Sequence, residues 1–161
     1  MASGETLLTF EATDYFPPPP GWIFATPDMR NAQPVLDFKP GEPPAAMFAG
    51  RMPRHYAGGG ITCSLMWTAT AGEGTLSWAV YLERHDPSTD LDFNSFGTGG
   101  GGTLVASSPL HGAPIYTEVV LAPSQLDGVL PGEHFRLLIA RNAGGTLASD
   151  AELWSVELRE T

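Results

Sequence analysis

Arg54-His55-Tyr56, set against Gly58, Gly59 and Gly60, is a cluster whose side chains suit acid–base or anion-binding work. The same triplet suits a corner at which a chain turns into a sheet. Pro53 holds the residue before it extended, and the glycines permit a turn into a strand starting at Ile61. We read it as that corner, with Tyr56 packing its ring at the rim. The four histidines, His55, His85, His111 and His134, lie at or near expected strand ends. None is spaced from another so that two imidazoles share a face, and they read as independent surface or corner residues. Asp86, Asp90 and Asp92 in HDPSTDLDF offer oxygen ligands for a cation such as Ca²⁺. The loop lacks the glycine and distal glutamate of a calcium-binding helix–loop–helix, so it reads as a solvated acidic loop with no metal.

Gly97 to Gly102, in FGTGGGG, match G-x-G-x-x-G. A dinucleotide fingerprint needs a strand before it and a helix opening inside it. Here TLVASSP follows, which is strand-like and ends at a proline, so the stretch reads as a flexible loop without a cofactor. No G-x-S-x-G elbow is present for a serine nucleophile. Glu118 and Glu133 are acids without an assigned partner. Cys63, the single cysteine, lies on the apolar side of a strand pattern and reads as a buried, inert thiol. The sequence therefore points away from an enzyme.

These residues must be carried by short strands. The 161 residues suit one domain with an extension. Nineteen glycines and fifteen prolines favour strands joined by turns. The net charge of −10, with one lysine, opposes nucleic acid and anionic membrane surfaces. No apolar run approaches the ~20 residues of a membrane-spanning helix. MASGETLLTFEATDYF lacks the basic start of a secretory signal, which implies synthesis and folding in a cytoplasm.

Ten prolines crowd residues 1–53. Residues 1–33 read as an extended arm, with a short strand over 6–12 as one option. PPPPGWIF predicts a stiff polyproline II segment, Pro17, Pro18, Pro19 and Pro20, presenting Trp22, Ile23 and Phe24 to this domain or a neighbouring subunit. Two further strands are expected at 35–38 and 45–49. From Gly60 the period becomes two. Ile61, Cys63, Leu65 and Trp67 share one face, as do Leu76, Trp78, Val80 and Leu82. The connection AGEG between these runs predicts a hairpin. Strands are also expected at 103–106, 115–121, 134–141 and 151–159. In the last, either Leu153 or the set Trp154, Val156 and Leu158 points inward, and the latter is preferred. Ser124 in APSQLDGVL is a candidate cap for a single helical turn. The whole reads as all-β: an antiparallel β-sandwich or jelly roll over 34–161, preceded by the Pro-rich arm.

PVLDF, MFAGRMPRHYAGGGITCSLMWTAT, GTLSWAVYLER, LDFNSFGT, EHFRLLIAR and DAELWSVELR occur in this order. Together they resemble small jelly-roll virion proteins of tailed bacteriophages, of the capsid decoration (cement) type. The match is densest at R-x-P-x-x-Y-x-G-G-x-[IL], carried by Arg51, Pro53, Tyr56, Gly58, Gly59 and Ile61. W-x-V-x-x-E-R and F-R-L-x-[IV]-x-R support it. The resemblance implies a non-enzymatic protein on the outer surface of a phage capsid, made in the host bacterial cytoplasm. It would reinforce the shell as a homotrimer bridging major capsid protein subunits, with the arm as anchor and Arg51 or Arg54 as ion-pair donors. The alternative is a carbohydrate-binding jelly roll of a phage tail or fibre.

Overall fold

The structure is a computed structural model and describes residues 4–161. Eleven strands follow in order: β1 (Thr6–Glu11), β2 (Ile23–Phe24), β3 (Thr26–Arg30), β4 (Gln33–Phe38), β5 (Pro44–Arg51), β6 (Ile61–Ala69), β7 (Thr75–His85), β8 (Gly100–Ala106), β9 (Ile115–Leu121), β10 (His134–Arg141) and β11 (Ala151–Glu160). They build two sheets. Sheet A has six strands, β3-β4-β11-β6-β9, with β1 also on β11. Sheet B has five, in the order β2-β5-β10-β7-β8. The chain is thus the all-β sandwich of jelly-roll type that its period-two runs imply.

The inner faces carry the alternating apolar sets. Ile61, Cys63, Leu65 and Trp67 come from sheet A, and Leu76, Trp78, Val80 and Leu82 from sheet B; all are buried in one core. Phe38 meets Trp78 edge-on at 5.0 Å between ring centres, and Trp67 meets it at 6.0 Å. Such edge contacts suit aromatic quadrupoles. Arg141 is buried beside them and donates to the carbonyls of Phe38, Leu147 and Ser149. Burial lowers its pKa, and the three carbonyls accept from its guanidinium.

Several expectations are corrected. The runs at 61–69 and 75–85 are not a hairpin. β6 pairs with β9 and β11, whereas β7 pairs with β8 and β10. The chain crosses between sheets at 70–74, because both runs bring an apolar face to the same core from opposite sides. In β11, Leu153, Val156 and Leu158 are all fully buried and Trp154 is only half-buried. A register shift between Leu153 and Ser155 inserts one residue and resets the alternation. Gly100, Gly101 and Gly102 lie in β8, not in a loop. Ser124 does not cap; in the 3₁₀ turn Pro123–Gln125, Gln125 Oε1 accepts from the Ala122 N–H instead.

The leader, outside residues 1–3, is woven into both sheets. β1 pairs with β11, so both ends of the described chain meet: Gly4 N–H donates to Glu160 O, and Glu160 N–H to Glu5 O. Phe16 bonds Met47 of β5 through both backbone groups. β2 runs parallel to β5, and β3 pairs with β4 across the 33/34 boundary expected from sequence. That hairpin turns on Asn31 and Ala32, both at positive φ, the geometry of a two-residue turn that matches strand twist.

Candidate functional site

The outer face of sheet B gathers rows of side chains set by strand register. Arg51, His134 and His85 form one row, and Ala49, Arg136 and Glu83 the next. Met47, Leu138 and Tyr81 follow, then Ala45, Ala140 and Ala79. The leader covers the β5 side of this face. Pro18 and Pro19 are buried, and half-buried Trp22 packs on the Ala45, Met47 and Leu138 cluster together with Tyr81 and Phe96.

The charged rows are internally satisfied. Glu83 is fully buried and accepts from Arg136 Nε and Nη2 at 2.7 and 3.1 Å and from the Ser95 N–H, and it contacts His85. Burial alone raises the Glu83 pKa, but hydrogen bonds from Arg136, Ser95 and His85 outweigh it and hold the carboxyl below its ordinary value. Arg136 also donates to Asn94 and lies 4.9 Å from the centre of the Phe96 ring. The network ties segment 94–96 onto the sheet.

On the β8 side the face opens into a groove of about 480 Å³. Ala79 and Tyr81 form its floor; Thr98, the Gly99–Gly102 backbone, Gln125 and Asn142 line its walls, with Val120 at one edge. The glycines make this possible. A Cβ on Gly99 would lie 2.4 Å from Tyr81 Cδ1, and one on Gly101 would lie 2.0 Å from the Trp78 carbonyl oxygen. Gln125 donates to Gly99 O, and Asn142 to Ser77 Oγ, which fixes both amides. Among the described residues no charged side chain lines the groove, in a chain whose net charge is −10. An aromatic ring beside immobilised amides, a hydroxyl and main-chain groups can stack on an apolar ring face and exchange hydrogen bonds with neutral hydroxyls.

The residues singled out from sequence sit elsewhere. Tyr56 is buried in the core, with its hydroxyl donating to Gly59 O at 2.6 Å, while Arg54 is exposed. Glu160 closes this corner by accepting from the Ala57 and Gly59 N–H groups. Arg51 bonds Gly132 O and His134. Pro17 and Pro20 are exposed, as are Ile23 and Phe24 on β2. His85 and His134, read as independent, stand directly opposite each other. Asp86 is engaged by Ser88, Thr89 and Arg84, which hold its pKa below the ordinary range. Glu133 pairs with Arg84 and Glu118 with Arg159, in two separate ion pairs. Burial raises the Cys63 pKa strongly. Among the described residues, no group of three or more His, Cys, Asp or Glu is placed to hold a metal.

Tyr81, Gln125 and Asn142 were missed. Tyr81 carried a signal, as an aromatic on the outward phase of TLSWAVYLER. The two amides carried none, because they lie outside the strands.

No protein-family model matches the sequence, and no curated protein does. Solved structures do share the fold. The CBM22-1 xylan-binding domain of Xyn10C from Paenibacillus barcinonensis superposes with a TM-score of 0.52 at 9% identity, covering 99% of this chain and 97% of that one. The family 11 carbohydrate-binding module from Clostridium thermocellum, in complex with a β-1,3-1,4-mixed-linked tetrasaccharide, gives 0.50 at 7% identity, covering 100% and 98%. The chain therefore shares the β-sandwich jelly-roll architecture of carbohydrate-binding modules from end to end.

Proposed function

We propose that this chain is a non-catalytic carbohydrate-binding jelly roll that takes a neutral saccharide along the sheet B groove beside β8. The uncharged groove carries the reading: Tyr81, Gln125, Asn142 and glycine backbone line it, in a strongly acidic molecule. The shared architecture with two carbohydrate-binding modules supports it. Neutral hydroxyls gain nothing from a net field, so recognition must come from ring stacking and fixed dipoles. In the phage setting implied by the sequence resemblance, such a module would sit on a tail or fibre. Electrophoresis of the full chain through gels containing xylan or β-1,3-1,4-glucan, together with a glycan array, tests it. Retardation is expected, and Tyr81→Ala should weaken binding about tenfold, the worth of one stacked ring. Unretarded migration in both gels with a silent array overturns the reading.

One observation favours the capsid decoration reading as a second. Ile23 and Phe24 end the proline segment on a two-residue strand at the edge of sheet B, and both are exposed. An apolar pair on a free edge suits docking against a major capsid protein, in a trimer or singly. Ile23→Ser with Phe24→Ser should reduce rebinding to stripped shells about tenfold. Equal rebinding of the variant removes this reading.

A further inference from the structure

Sheet A has its own groove on the opposite side of the sandwich, of about 440 Å³. Two register rows form it. Tyr116 stands beside Met66 and Ser155, and Glu118 beside Ser64, Glu157 and Thr9. Tyr116 is 66% exposed, although it sits on a strand and not on a loop. Met66 lies opposite it, while Ser155 in the same row and Ser64 in the next are short, so the largely exposed ring stands at one end of a trough. Arg159 closes the far end of the groove and is ion-paired to both Glu118 and Glu157. Hydrogen bonds and charge from Glu118 first, then from Glu157, raise the Arg159 pKa.

We infer that this trough is a second saccharide site, with Tyr116 as the stacking platform and the Arg159–Glu118 pair as the hydroxyl-binding fork. A pyranose has an apolar C–H face for the ring, and adjacent hydroxyls that both donate and accept. A guanidinium held against a carboxylate offers both roles in fixed positions. Two carboxylates against one guanidinium leave the trough mildly negative, which disfavours phosphate or uronate ligands. A cationic ligand would have to displace Arg159 from both acids. The ligand class is therefore a neutral sugar. The site does not depend on occupancy of the sheet B groove, and it makes the chain able to bridge two glycan strands from opposite faces. Bivalence of that kind strengthens retention on an insoluble polymer without raising either single affinity.

The test uses the full chain, with wild type, Tyr81→Ala, Tyr116→Ala and the double variant run in xylan and β-1,3-1,4-glucan gels and on a glycan array. Thermal unfolding checks that each variant folds, and Tyr116→Ala should leave stability nearly unchanged because its ring is exposed. The inference expects about tenfold weaker binding in Tyr116→Ala, residual binding in Tyr81→Ala, and none in the double variant. It also expects wild type, but neither single variant, to precipitate soluble polysaccharide. If only Tyr81→Ala weakens binding, the second site is overturned and the sheet B reading stands. If only Tyr116→Ala does, the sheet B site falls and the sheet A site stands. A wild type that binds no glycan overturns both.

Discussion

Asp37 shows how strand register decides chemistry that residue type does not. It pairs with Glu152 across β4 and β11, and Asp28 reaches it from β3. Its Oδ1 is buried without a hydrogen-bond partner among the described residues. Burial first, and then the charges of Asp28, Glu152 and Asp150, raise its pKa from 3.8 to about 7. Between about pH 4 and 7 the folded chain keeps a proton that the unfolded chain has lost. Stability therefore falls as pH rises through that window. Asp37→Asn should raise the urea midpoint at pH 8 and leave it unchanged near pH 3.5; an equal gain at both would contradict this. Glu83 has the opposite sign, since its folded pKa is lowered and its contribution is lost as pH falls. Arg136→Met strands that carboxylate in the sheet face and should cost about 3 kcal/mol in urea unfolding. Neither network was legible in the sequence. Glu83 and Arg136 are 53 residues apart, and a single chain does not announce which strands will lie side by side.

At the scale of elements, periodicity revealed facing but not partnership. Leu76, Trp78, Val80 and Leu82 point inward as their alternation requires, because a two-residue period leaves only one way to bury them. The same alternation is satisfied whether β6 and β7 pair with each other or face one another across the core. The second arrangement wins, because each run can then cover the other's apolar side. In β11 one extra residue made Leu153 and Val156 both interior, which no unbroken alternation allows. The glycine-rich stretch was readable as opening no helix, yet its place in a strand and its role in close packing were not. Gly101→Ala should detach β8 from β7, because its φ of 118° and the 2.0 Å approach to the Trp78 oxygen both exclude a methyl group. A loss of at least about 2 kcal/mol is expected in urea unfolding, together with loss of the saccharide binding proposed for the sheet B groove. Unchanged stability would show that β8 does not need this approach.

At the scale of the molecule, the proline-rich leader is a component of the sandwich. Removing residues 1–32 would take β1, β2 and β3 from the two sheets, so such a truncation tests folding and not attachment. The five prolines of this leader, Pro17 to Pro20 and Pro27, disguised this, since proline is a poor central-strand residue. The leader avoids the difficulty by placing β2 and β3 at sheet edges and burying Pro18 and Pro19 over a face. The turn at Asn31-Ala32 lacked the glycine that usually betrays a hairpin. The pairing of β1 with β11, which brings Gly4 against Glu160, has one more implication. Where a chain starts and stops becomes nearly arbitrary once its extremities are neighbours. A circular permutant that joins the two extremities by a short glycine-serine bridge and opens at exposed Gly72 should recover the wild-type unfolding midpoint within a few degrees. By the same geometry, the unit can be spliced into a surface loop of a carrier protein and hold both grooves outward.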